Sequence, residues 1–381
     1  MWYSRHSDDT MKQYDIIIIG AGPAGLMAAR TLEKTKIDYL LIDGKKRLGY
    51  PLKCGEGVYA EAFEGFFGKK KYSFIRNRVK FHKIFYKDVE RIFAADYYQL
   101  DRPRWEQWMG KGLNVLLDCR MEDIIIKRDV AEVHTAKGIF LAKLVILSCG
   151  CNFNMQKKFG LFKKNPIISI AYGGIFKDHG LPKDTFYYYF DDYYGYMWIF
   201  PKSSTLANIG IGYFKTKKKI NPKKLLFKLL KKYGIKANQI SEYGGIAPCS
   251  GPIEKTFFDR MLICGDSAGL LYAGTGEGIK FALKSGKIAA EVAIKAVEKN
   301  QFDEKFLKMY EKSWKKSFGK DMEAGKIFFD IMIAAAKMGR VKELFKTPTD
   351  KELRQFIIEG KTPLRAKIAW KIVKKAGMDR L

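Results

Sequence analysis

The chain has 381 residues, enough for one large domain or two intertwined ones, and 47% of them are hydrophobic, which supports a real core. Seventy Lys and Arg stand against 41 Asp and Glu, a net charge of +29. That excess suits an acidic partner (nucleic acid, an anionic membrane, a phosphorylated substrate or an acidic protein) or is a plain compositional bias; no RNP sequence or Cys/His finger is present, which argues against nucleic acid.

Met1 to Thr10 is polar and lacks the apolar run of a secretory signal. Residues 1–10 therefore read as an extension ahead of a native start at Met11. Ile16 to Ile19 is an unbroken β-branched run, which predicts a parallel strand buried on both faces. Gly20, Gly22 and Gly25 follow at G-x-G-x-x-G spacing, with Pro23 and Ala24 opening a helix whose amides aim at a pyrophosphate. A second strand, Tyr39 to Ile42, ends in Asp43, eighteen residues past Gly25 and placed to accept from a ribose hydroxyl. Lys45 to Gly57 is rich in glycine and proline and reads as a functional loop. Val58 to Lys71 reads as a short helical piece, Phe74 to Asp96 as strands, and Leu100 to Met109 as a turn into a helix. Asn114 to Cys119, Met121 to Ile126, Val130 to Thr135 and Leu144 to Leu147 read as strands.

From Ile167 to Gly212 the pattern is strand-like and aromatic, with an Asp191-Asp192 turn. Its aromatics either line an apolar cavity or pack within the sheet. Pro222 to Lys232 is a basic amphipathic helix with Leu225, Leu226, Leu229 and Leu230 on one side. Met261 to Cys264 is a short buried strand. Gly265-Asp266 follows it, and Gly274 to Gly278 opens a long helix to about Asn300. The last 80 residues read as helices with a break at Pro348. Cys54, Cys119, Cys149, Cys151, Cys249 and Cys264 form no C-x-x-C pair, so no metal site is expected. No run of about 18 apolar residues occurs, so no transmembrane helix is expected. A cytoplasmic protein with reduced thiols is predicted.

On these residues the chain resembles the FAD-dependent geranylgeranyl reductases, within the p-hydroxybenzoate hydroxylase-like flavoproteins. The resemblance covers roughly Tyr14 to Asn300. It rests on the first glycine fingerprint, on the Gly265-Asp266 box and on two more specific motifs. These are Lys53-Cys54-Gly55-Glu56-Gly57 and Tyr196-x-Trp198-x-Phe200-Pro201-Lys202. The resemblance implies an α/β (α+β) fold: a Rossmann-like FAD-binding domain, an inserted antiparallel-sheet substrate domain and a C-terminal helical region. The expected boundaries are 11–57, 97–150 and 255–300 for FAD binding, 58–96 and 151–254 for the prenyl chain, and 301–381 for the helices. Cys149-Gly150 stands where the hydroxylases carry Asp-Gly, and Ala273 where the family often carries Pro.

The implied cofactor set is Gly20, Gly22, Ala24, Gly25, Asp43, Gly55, Gly57, Arg102, Gly265, Asp266, Gly276 and Gly278. Gly55 and Gly57 are expected to let the backbone approach the flavin. Tyr196, Trp198, Phe200 and Lys202 are the implied substrate residues. Cys54 and Glu56 are the implied catalytic pair, Glu56 being either a proton relay or a solvated loop carboxylate and Cys54 either a proton donor or a buried filler. The other five cysteines read as core. The implied reaction is saturation of geranylgeranyl chains in archaeal-type ether lipids. NAD(P)H, a reduced deazaflavin or ferredoxin would donate electrons, because no second nucleotide fingerprint follows a strand. A flavin monooxygenase, a non-catalytic prenyl-binding protein and an electron-transfer flavoprotein are the competing readings. The basic tail from Lys361, with Leu364, Ile368 and Ile372 every fourth residue, predicts either peripheral attachment to an anionic membrane or a helix packed on the core.

Overall fold

Ile16 to Ile19 end a central strand and are each 3% exposed or less in the computed structural model, which describes residues 12–151, 157–161, 167–191, 195–214 and 220–378. The expected extension 1–10 and Asp192 of the expected turn lie outside the described residues. The chain runs β1 (Gln13–Ile19), α1 (Pro23–Leu32), β2 (Tyr39–Ile42), β3 (Gly57–Tyr59), α2 (Ala60–Phe67), β4 (Ile75–Tyr86), β5 (Val89–Leu100) and α3 (Arg102–Gly110). It continues through β6 (Val115–Leu116), β7 (Met121–Ile126), β8 (Ala131–Thr135), β9 (Gly138–Leu147), β10 (Ile168–Lys177), β11 (Thr185–Asp191), β12 (Gly195–Pro201) and β13 (Leu206–Phe214). Then come α4 (Pro222–Lys232), β14 (Asn238–Gln239), β15 (Tyr243–Pro248), β16 (Phe257–Phe258) and β17 (Met261–Ile263). Five helices finish it: α5 (Ile279–Lys299), α6 (Glu304–Lys337), α7 (Val341–Lys346), α8 (Asp350–Ile357) and α9 (Leu364–Lys375).

Two sheets result. The first has the order β16-β17-β9-β1-β2-β6, with β7 and β8 hairpinned onto β9. Its centre is parallel, β1 lying between β2 and β9, which explains the unbroken isoleucine run. The second has the order β14-β10-β13-β12-β11-β4-β5-β3, with β15 on β10. It is antiparallel except where β11 meets β4.

Several boundaries differ from the sequence reading. The segment after Gly57 first adds β3 to the second sheet, so α2 starts only at Ala60. Of Asn114 to Cys119 only Val115–Leu116 pairs, on the edge beside β2. The long helix opens at Ile279, because Gly276 has a positive φ and Tyr272 bridges to Glu277 before it.

The aromatic strands divide their side chains by alternation. Tyr187, Tyr189, Met197 and Ile199 join a core closed by Leu226, Leu229 and Leu230 of α4. Phe186, Tyr188, Phe190, Tyr196, Trp198 and Phe200 point to the other face and line a cavity. Both sequence readings of the aromatics therefore hold, one for each face. Trp198 lies opposite Gly210 on β13, where a Cβ would stand 2.2 Å from the indole. The glycine makes room for the ring. Among the described residues no helix is long and apolar enough to cross a membrane.

Candidate active site

A cavity of about 510 Å³ is walled by both sheets. At one end, α1 begins with no side-chain cap, so its first-turn amides remain available to an anion. Gly20 sits at φ +105°, and Ser148 O lies 2.4 Å from where a Cβ would be. A Cβ on Gly22 would meet open space. Gly25 does not line the cavity; its missing Cβ lets Gly20 O approach to 1.9 Å of that position, so it serves helix–strand packing. Asp43 is held at the rim by Ala21 N (2.6 Å) and Lys45 N (2.8 Å). Burial raises the Asp266 carboxyl above its usual range, while Arg102 opposes that shift. Gly265, Gly276, Gly278 and Ala24 line the same end. An uncapped helix start, a rim carboxylate and open space at Gly22 and Gly276 fit a dinucleotide such as FAD.

The two specific motifs meet in the opposite wall. Glu56 is 0% exposed and has φ +69°. Its Oε1 accepts from Arg102 N (2.9 Å), and its Oε2 accepts from Lys202 Nζ (2.5 Å) and Asn208 Nδ2 (3.0 Å). It is not the solvated loop carboxylate of the second sequence alternative. Lys202 is itself buried, does not line the cavity, and is spent on Glu56. The substrate contact expected of Lys202 is therefore corrected to an anchoring ion pair.

Asn208 is the hub of this wall. Its Nδ2 also donates to Cys54 O (2.8 Å), and its Oδ1 accepts from Trp198 Nε1 (3.0 Å) and Tyr243 Oη (2.8 Å). Tyr243 Oη in turn reaches Cys54 O (2.9 Å), and Gln99 Nε2 donates to Gly55 O (2.9 Å). A Cβ on Gly55 would stand 3.0 Å from the Phe200 ring, and one on Gly57 3.0 Å from Phe186. In this structure those glycines admit the aromatic wall, the role that the sequence reading gave to the flavin.

Cys54 is half-buried, and its Sγ accepts from Glu56 N (3.2 Å). Arg102 Nε lies 2.6 Å from Glu106 Oε1. Burial opposes the Arg102 charge, but Glu106 and Cys54 beside it hold the guanidinium above its usual range. Cys119, Cys249 and Cys264 lie in the buried core with Cys149 packed against it, and Cys119, Cys149 and Cys249 border the cavity as well. Burial pushes the Cys149 thiol up to about 11 and Cys249 up to about 12.

The aromatic wall holds two polar groups that the sequence reading missed. His82 is fully buried, with Nδ1 3.1 Å from Tyr188 Oη and no hydrogen-bond partner for Nε2 among the described residues. Glu277 sits between Gly276 and Gly278, with Oε2 3.4 Å from Lys280 Nζ and Oε1 buried with no hydrogen-bond partner among the described residues. Burial, and then the facing Glu277 carboxylate, push the Tyr97 phenol well above its usual range. Tyr196 closes the wall by donating to Thr275 O. Asn208 carried a faint sequence signal, as the single polar residue in Ala207 to Gly212; His82 carried none.

Comparison with known proteins adds five findings. Residues 168–246 match the geranylgeranyl reductase catalytic domain, and residues 18–54 match an NAD(P)-binding Rossmann-like domain. A digeranylgeranylglycerophospholipid reductase of Methanocaldococcus jannaschii is 33% identical over 326 residues, which is 79% of this chain and 82% of that protein. Digeranylgeranylglycerophospholipid reductase 1 of Methanococcoides burtonii is 28% identical over 372 residues, 90% of this chain and 86% of that protein. A geranylgeranyl bacteriochlorophyll reductase-like crystal structure from Thermoplasma acidophilum superposes with a TM-score of 0.78 at 23% identity, covering 97% of this chain and 100% of that one; it shares the fold.

Proposed function

From the premise that the chain belongs to the geranylgeranyl reductase family, we propose that it saturates C=C bonds of geranylgeranyl chains in archaeal-type ether phospholipids, with FAD as cofactor. The alkenes of such a chain are isolated and trisubstituted. No carbonyl stabilises a carbanion, so the hydride acceptor must take on positive character at its tertiary carbon while a proton reaches the other carbon. FAD, bound and first reduced by two electrons from the donor, would supply the hydride. The rest falls to this chain's residues. The faces of Tyr196, Trp198 and Phe200 exclude water and favour developing positive charge. The Cys54 thiol faces the same space and delivers the proton. Glu56, Lys202 and Asn208 fix the loop that holds it.

The observation that carries this reading is the bonding of Lys53–Gly57 to Tyr196–Lys202 in one cavity wall, 146 residues apart at the Glu56–Lys202 pair. The test is mass spectrometry of digeranylgeranylglycerophospholipid after anaerobic incubation with chemically reduced protein. Two hydrogens gained per double bond are expected. In Cys54→Ser, flavin content and flavin reduction should stay near normal, while reoxidation by the lipid slows by about 10²-fold or more. Oxygen uptake with a hydroxylated product would establish the monooxygenase reading instead. For the donor, NAD(P)H, a reduced deazaflavin or ferredoxin, the large positive charge favours an acidic carrier protein.

A further inference from the structure

Two basic amphipathic helices in this chain follow the same pattern and meet different fates. In α4, Leu226, Leu229 and Leu230 are buried against the second sheet, and its lysines face outward. In α9 the apolar stripe itself faces outward: Leu364 is 74% exposed, Ile368 52% and Ile372 64%. The inward face of α9 is a different set. Val373 is buried, Trp370 packs against the core and its Nε1 donates to Asp330 Oδ2 (3.0 Å). At about 100° per residue, Leu364, Ile368 and Ile372 span one side of the helix, with Arg365 on one flank, Lys367, Lys371 and Lys374 on the other, and Lys375 at the C-terminal end of the stripe itself. The helix carries five basic residues and no acid. Lys367, Lys371, Lys374 and Lys375 are exposed and form no ion pair among the described residues.

We propose that α9 seats the protein on an anionic lipid bilayer, its exposed stripe entering the interface and its lysines meeting the headgroups. This rests on the reading that the substrate is a membrane lipid. The geometry of such a helix is that of interfacial anchors, an apolar face flanked by Lys and Arg, lying in the plane rather than spanning. Two further observations favour a bilayer over a second copy of this chain. The flanks are uniformly basic, so two copies would set like charges against each other, whereas an anionic surface complements them. The chain also passes directly from the cavity to the helix. Ile357 and Ile358 line the cavity, and Leu364 follows six residues later, within about 20 Å of extended chain. A lipid leaving the surface at α9 is thus already close to the cavity wall.

The test is flotation of the full chain with vesicles of equal parts phosphatidylglycerol and phosphatidylcholine, and with phosphatidylcholine alone. The protein should float with the anionic vesicles and be released by salt. Neutralising Lys367, Lys371, Lys374 and Lys375 to Gln should weaken that partitioning by about 10²–10³-fold. Replacing Leu364, Ile368 and Ile372 by Ser should weaken it at least about 10-fold. Both variants alter only exposed side chains and should reduce detergent-solubilised geranylgeranyl lipid at the parent rate, but bilayer-embedded lipid more slowly. Equal, salt-insensitive binding of the parent to both vesicle types, or unchanged binding of both variants, would overturn the proposal. So would a dimer that the Ser variant dissociates. Failure of the parent to reduce lipid in detergent would instead fell the functional reading, and the flotation result would stand apart from it.

Discussion

His82 shows how one buried side chain sets a property of the whole fold. Its ring lies near-parallel to Phe93 and Tyr188, with Tyr97 and Phe186 edge-on to it, and burial lowers its pKa to about 3. The unfolded chain titrates near 6.5. Between those values the unfolded state holds a proton that the folded state refuses. This contribution is complete above about pH 6.5 and is lost as pH falls towards 3. From about pH 7 to pH 4.5 the loss amounts to roughly 2–3 kcal/mol. Urea unfolding of the parent and of His82→Phe checks this. The variant should start less stable at neutral pH, because Tyr188 Oη loses its partner, yet lose less stability on acidification. Parallel pH curves for the two proteins would show that His82 keeps its proton balance on folding. Nothing in the sequence separated His82 from an ordinary strand residue. Its neighbours come from β5 and β11 as well as β4, and only the sheet register brings them round it.

At the scale of elements, what was legible was what short periods encode. Ile16 to Ile19 announced a strand covered on both faces, and Tyr196-x-Trp198-x-Phe200 announced one face of a strand. The resemblance to the reductase motif implied a substrate role for Lys202, whereas its ammonium turns to Glu56. No local pattern carries a bond across 146 residues. The same limit applies to α4 and α9, whose patterns match and whose environments do not. The Glu56–Lys202 pair makes a sharp prediction about the wall that joins the two motifs. Removing one partner of a buried ion pair leaves an uncompensated charge and typically costs about 3–5 kcal/mol. Lys202→Met and Glu56→Gln should each destabilise by about that much. The double variant should be clearly more stable than the sum of the two losses predicts, because no buried charge remains. Thermal or urea unfolding of the four proteins completes the cycle. Simple additivity would mean that the two side chains do not act on each other and that Asn208 and Arg102 N alone hold the carboxylate.

For the whole molecule the question is where its charge acts. The cavity wall carries Lys45, Lys53, Arg102 and Arg120, against Asp43, Glu56, Asp266 and Glu277. Four cations balance four anions there, so the cavity lining contributes nothing to the chain's net charge of +29, and the surplus among the described residues lies outside the cavity. An internal balance of that kind suits a neutral prenyl chain beside a dinucleotide. An external surplus suits a macromolecular or membrane partner, and it bears on how electrons arrive. Complementary charge raises the rate of encounter between proteins more than it raises final affinity, and the gain is screened once the Debye length falls to about 10 Å near 0.1 M salt. If the donor is an acidic carrier such as ferredoxin, stopped-flow reduction of the flavin should slow by about 10-fold or more between low and physiological ionic strength. The same experiment with NADPH serves as the control, since a small donor presents far less charge to the surface field. Fast reduction by NADPH that ignores salt, together with slow reduction by ferredoxin at every ionic strength, would assign the donor to the nicotinamide and leave the surface charge to the bilayer. Salt-sensitive reduction by ferredoxin in the α9 lysine variant at the parent rate would separate the two uses of charge, placing the carrier on a different face from the membrane.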